Sequence, residues 1–168
     1  DKIDAVIALR EPRPRNQGSC LFYEEPLYFL PCQTAPGNGH AGPIKLSEVA
    51  AKTFIVTPEG CGLTNAVRQL FKTHSCAFKE YAGLALSHRV MEDWVSLGIG
   101  NAILPQSKIA LLKSQACLLM QSDHEPAQLV YELRWNKHAS HLPHVKEFLA
   151  HFRSAVPRLV QGLDNKSR

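Results

Sequence analysis

Four histidines crowd the carboxyl-terminal third of the chain. His141 and His144 are three residues apart, and His144 and His151 seven apart, so on a helix all three share a face, with His138 just ahead. Imidazoles at such spacing can ligate a metal. No cysteine or pair of carboxylates lies nearby to complete a ligand set. The stretch reads instead as the exposed polar face of an amphipathic helix, and neither a metal nor a cofactor is expected.

Cys61 is the second candidate. It stands in Gly60-Cys61-Gly62 directly ahead of a helical pattern, where a helix amino terminus lowers a thiol's pKa and can activate it. A hydrolase also needs a positioned base, and no spacing nominates one of the eight histidines. There is no G-x-S-x-G elbow, Walker loop or G-x-G-x-x-G. Gly98-Ile99-Gly100 follows a helix and precedes a strand, the wrong order for a phosphate loop. The chain is therefore read as not an enzyme, with catalysis by Cys61 kept as a rival.

The loop from Thr57 to Leu63 has a more modest use. It joins the carboxyl end of a strand to the start of a helix, the place where open α/β sheets bind ligands. Free amides and the helix dipole attract anions there. Thr57 supplies a hydroxyl, and the glycines let backbone approach closely. A tight structural turn fits the same residues equally well.

Alternating strands and helices must hold these groups. Lys2 to Leu9 is an apolar run suited to a buried strand, and Glu11 to Gly18 a polar connection. Leu27 to Cys32 and Thr53 to Val56 read as strands, with a loop at 35–43 and a short helix at Ser47 to Ala51. A helix is expected over Leu63 to His74, since Leu63, Val67, Leu70, Phe71 and His74 share a face. Phe78 to Tyr81 is a short strand. Ser87 caps a helix whose Val90, Met91, Trp94 and Leu97 line one face. Gly98 stops it, Ile99 to Leu104 forms a strand and Pro105 marks that strand's end. Ala116 to Gln121 and Leu129 to Trp135 are further strands. The last helix spans Pro143 to Leu159, with Pro157 expected to kink or end it.

Composition bounds the function. Of 168 residues, 45% are hydrophobic and 20% charged, ordinary for a globular protein. No apolar run approaches the roughly 18 residues of a membrane helix, and no signal peptide is seen. The net charge is +4, and Arg10, Arg13 and Arg15 are the only tight basic group. That is too little clustering for a nucleic-acid surface, but the bias favours a small anion over a cation. Five widely spaced cysteines without a C-x-x-C read as reduced cytosolic thiols. The first residue is Asp1, which suggests a fragment or processed form.

Three stretches resemble one family in order and spacing. Val95-Ser96-Leu97-Gly98-Ile99-Gly100-Asn101-Ala102-Ile103-Leu104-Pro105 is similar to the V-x-x-G-x-G-x-x-x-L-P signature of the effector-binding domain of LysR-type transcriptional regulators. Ile3-Asp4-Ala5-Val6-Ile7 resembles that domain's middle strand. Leu46-Ser47-Glu48-Val49 followed by Phe54-Ile55-Val56-Thr57-Pro58 resembles its helix-and-strand passage. The resemblance covers roughly residues 2 to 160.

It implies an α/β fold of two periplasmic-binding-protein-like lobes, with a mixed, mostly parallel sheet and one lobe incomplete. Residues 1–10 and 127–160 would belong to the partial first lobe, 11–126 to the second, and 161–168 to a flexible tail. The function implied is cytoplasmic: an effector-binding regulatory domain sensing a small anionic metabolite in a cleft between lobes. Homodimer or tetramer formation is implied, with DNA bound only through a winged helix-turn-helix outside this chain, and no membrane contact. Family members bind effector at the loop matching Thr57 to Leu63, so Thr57, Cys61, Gly62 and Leu63 are expected contacts. The position ending the first strand also faces the cleft. Here it is Leu9, where many members carry a polar or cationic residue, so the adjacent Arg10 is taken as carboxylate partner. Leu97 to Gly100 is assigned to structure. The alternative is a solute-binding protein of a transport system, which shares the lobes.

Overall fold

The structure, a computed structural model, describes residues 3–11, 14–32, 42–58 and 61–164, with side chains described as far as Val156. Most of the expected loop at 35–43, Arg13, Gly60 and the end of the expected tail (165–168) lie outside these residues.

The chain forms two compact units, Asp1–Glu24 with Val130–Arg168, and Glu25–Leu129. Strands β2 (Gln17–Leu30) and β8 (Gln128–Asn136) each run through both. Residues 11–24 fall in the first of these units and 127–129 in the second.

In the first unit, β1 (Ala5–Leu9) pairs antiparallel with β8 from Ala5↔Trp135 to Leu9↔Tyr131. β8 lies between β1 and β2. Side chains alternate along β8. Leu133 and Trp135 pack against Val145, Leu149, Phe152 and Val156, the apolar stripe of the last helix, α4 (Pro143–Asp164). α4 continues through Pro157 to Asp164 rather than ending near it, so the expected tail is helical at its start. The buried strand expected at Lys2 to Leu9 is shorter and is an edge: Val6 and Ile7 are each 48% exposed. Its ladder partner among the described residues is β8 alone, and Val6 and Ile7, which point to opposite faces, are both half open.

In the second unit, β6 (Ala102–Pro105) and β7 (Cys117–Met120) both pair antiparallel with β2, in registers that include Leu30↔Ala102 and Tyr28↔Leu118. Parallel pairing is confined to β3 (Ile44–Lys45) with β7, and β4 (Thr53–Val56) with β5 (Lys79–Leu84). The sheet is mixed, as expected, but the larger sheet is mostly antiparallel. The helical crossover gives β4 and β5 one direction, whereas β2 runs against β6 and β7, and β8 against β1.

That crossover is α2 (Gly62–Thr73). Phe54 of β4, Phe71 of α2 and Phe78 pack with ring centroids 4.9–5.4 Å apart, so the helix is pinned to the strand that precedes it. α1 (Leu46–Val49) lies just ahead of β4. In α3 (His88–Ser96), the Val90 amide donates to Ser87 Oγ at 3.2 Å, so Ser87 is the N-cap expected. Gly98 takes φ 76°. There its amide donates to Val95 O and the Ile99 amide to Trp94 O, which closes the helix end. Those bonds hold Ile99 in the turn, and the strand expected from Ile99 forms only over Ala102–Pro105.

Candidate functional site

The loop after β4 is built from hydroxyls and a thiol. Thr57 and Thr64 are both buried. The Thr57 amide donates to Thr64 Oγ1 at 3.2 Å, and the two hydroxyls lie 2.8 Å apart. Cys61, at the N-cap of α2, has an extended backbone, and its amide donates to Pro58 O at 3.3 Å. Burial alone would raise the Cys61 thiol's pKa. The nearby Thr57 hydroxyl and the Thr64 and Leu63 amides together outweigh that and hold the pKa below its ordinary value. The sulfur lies beside the first turn of α2, and its own side chain makes no N-cap hydrogen bond.

The expected contacts Thr57, Cys61, Gly62 and Leu63 thus lie on one short stretch at the start of α2, where Thr57 is tied to Thr64. The Thr57 and Leu63 side chains are buried, and Cys61 and Gly62 are half-buried. Sequence reading missed Thr64. Its signal was a hydroxyl in the first turn of an otherwise apolar helix face.

Leu9 and Arg10 stand in the other unit. The Arg10 amide donates to Val130 O at 2.7 Å, which extends the β1–β8 ladder one step. Arg10 Nε donates to Glu132 Oε1 at 2.6 Å. Glu132 is buried and Arg10 is 53% exposed. Arg134, two residues on and hence on the same face of β8, donates from Nη2 to Leu9 O at 2.7 Å and to Glu11 O at 3.2 Å. Its Nε is buried without a hydrogen bond and lies 3.5 Å from Glu132 Oε2. Glu132 and Arg134 were also missed. Charged residues alternating with Leu133 and Trp135 in an apolar strand were the available signal.

The histidine group does not converge. His138, His141, His144 and His151 are all exposed, and His144 Nε2 sits 3.5 Å from Asp4 Oδ2. No three His, Cys, Asp or Glu among the described residues stand together as a metal set. All five cysteines are free thiols. A recess of about 290 Å³ in the first unit is lined by Ile3, Asp4, Val6, Gln17, Arg134 and their neighbours, and none of the expected contact residues lines it. No helix among the described residues is long and apolar enough to cross a membrane.

The family described as LysR substrate binding domain matches residues 1–157. No curated protein matches the chain. Among solved structures, the CcmR regulatory domain of Synechocystis PCC6803 in complex with 2-PG is 18% identical, with a TM-score of 0.63 over 91% of this chain and 73% of that one. The effector binding domain of QuiR in complex with shikimate is 17% identical, with a TM-score of 0.63 over 92% of this chain and 72% of that one. An OxyR C206 mutant from Corynebacterium glutamicum is 14% identical, with a TM-score of 0.69 over 98% of this chain and 52% of that one. The chain thus spans about three quarters of the isolated regulatory domains and about half of the longer OxyR chain. These likenesses show the two-lobe fold.

Proposed function

The chain belongs to the LysR substrate binding domain family, and from that membership we propose that it is the effector-binding part of a LysR-type transcriptional regulator whose effector is a small anion. The observation that carries the reading is the amino-terminal loop of α2, where the paired, buried hydroxyls of Thr57 and Thr64 and the Cys61 thiol stand at the start of the helix. Amide donors and the helix dipole favour negative charge at this place. The proposed contacts are Thr57, Cys61, Gly62 and Leu63 there and, in the first unit, Leu9 and Arg10. Solved relatives carrying 2-PG and shikimate support a small-molecule ligand.

DNA binding falls to another part of the regulator. A relative, full-length CbnR, was solved with its target DNA, and this chain covers 53% of it. Self-association into a homodimer or tetramer and a cytoplasmic setting belong to the same reading.

The test is a thermal-shift screen of small carboxylates, phosphates, amino acids and aromatic acids. A ligand at one hundred times its dissociation constant adds about 2.7 kcal/mol of stability. The expected result is a shift with an anion, diminished by Arg10→Ala and by Thr57→Ala. A shift unchanged by both substitutions places the site elsewhere.

A further inference from the structure

Arginine offers two edges to an acceptor. One carries Nε–H and a neighbouring Nη–H. The other carries one hydrogen from each Nη and matches the two oxygens of a carboxylate. In Arg10 the Nε–H is committed to Glu132 Oε1 at 2.6 Å. Among the described residues, neither Nη of Arg10 makes a hydrogen bond. The side chain is half exposed, whereas its partner is buried, so the bond fixes a surface guanidinium to an immobile anchor.

The anchor is itself held. Val6↔Arg134 and Ala8↔Glu132 are register pairs, so Glu132 and Arg134 share the face opposite α4. Arg134 Nε stands 3.5 Å from Glu132 Oε2, and its Nη2 is fastened to the backbone of Leu9 and Glu11, on either side of Arg10. Two guanidiniums around one carboxylate leave the three side chains with a net positive charge.

We propose that Glu132 is a positioning residue: it takes the Nε edge of Arg10 and leaves the paired Nη groups as a fork for a carboxylate of the effector. This rests on the effector-binding reading and deepens it, by naming the group recognised and the residue that prepares Arg10 for it. The fork distinguishes a planar pair of oxygens from a spherical ion of equal charge. Arg134 keeps Glu132 charged-partnered on its far side, so the anchor holds whether or not an anion is present.

Acetate and chloride carry the same charge and differ in shape, so the ratio of their affinities at Arg10 reads the fork and cancels the general attraction of the charge cluster. The experiment titrates uniformly ¹⁵N-labelled chain with each salt, following the backbone amide resonances of positions 9 to 11, which wild type and both variants share. In the wild-type chain acetate is expected to bind about tenfold more tightly than chloride. Glu132→Gln removes a negative charge, so chloride affinity rises while the acetate-to-chloride ratio falls by about threefold or more. Arg10→Lys keeps the charge and the pairing with Glu132 but has no fork, and its ratio falls to about one.

A wild-type ratio near one overturns the fork. A high ratio that Glu132→Gln leaves unchanged overturns the role of Glu132 alone. If Glu132→Gln does not fold, Arg10→Lys, at a half-exposed side chain, still decides: an unchanged ratio there overturns the proposal. The thermal-shift screen with Arg10→Ala judges the effector reading separately, because it needs neither salt nor Glu132.

Discussion

The Glu92 carboxylate accepts the backbone amide of Leu111 at 2.9 Å from a side chain wholly removed from solvent. The amides of Ala110 and Leu112, each 3.1 Å from Glu92 Oε1, converge on the same group. One helical residue thus organises the loop after β6. Glu92→Ala strands three amides and is expected to destabilise the chain by roughly 3 kcal/mol. Glu92→Gln keeps an acceptor and is expected to lose about half as much. Urea denaturation checks both, and equal losses would show that packing rather than hydrogen bonding is at stake.

The Cys61 thiol gives a second prediction. Its lowered pKa depends on the Thr57 hydroxyl and on two amides. Thr57→Val removes the hydroxyl and is expected to raise the Cys61 pKa. Alkylation rates measured between pH 6 and 10 (a range of about two units around the ordinary thiol value) should shift to higher pH. A curve superimposable on wild type would remove Thr57 from the thiol's environment.

His88 makes the fold sensitive to acid. Burial, with the charge of Lys108 as a second cause, holds its pKa below the ordinary histidine value. Its Nε2 is buried without a hydrogen bond. The unfolded chain takes up this proton near pH 6.5, roughly the free value, and the folded chain only at lower pH. The contribution is therefore intact above that pH and is lost as pH falls toward the lowered value. The melting temperature should decline over this interval, and less so in His88→Gln. Parallel declines in the two proteins would refute the assignment.

Gly18 and Trp135 are packed too closely for any larger residue. A Cβ at Gly18 would lie 2.5 Å from the indole ring. Trp135 is buried against α4 and has little room to move. Gly18→Ala is expected to cost about 1–3 kcal/mol, visible as a lower melting temperature with a perturbed tryptophan emission.

What sequence made legible was local. The strand at Thr53–Val56, the cap at Ser87 and the stop at Gly98 follow from side-chain type and φ preference, and they stand where expected. Sheet direction was less accessible, because pairing is settled by residues far apart, such as Tyr28 with Leu118. The α2 loop was visible through Thr57 and the residues flanking Cys61. Thr64 escaped because a threonine in a helix looks like any other until its partner is known. Glu132 escaped for the opposite reason: a carboxylate in an apolar strand announces a buried partner, but nothing local says that it is Arg10.

The turn at Gly98 carries a consequence for handedness. At φ 76° the backbone occupies a region that an L side chain enters at a cost of about 1–2 kcal/mol, and that its mirror image prefers. A synthetic chain with D-alanine in place of Gly98 would keep the helix end while narrowing the freedom of the unfolded chain. One methyl group would then stabilise or destabilise the protein according to its chirality alone.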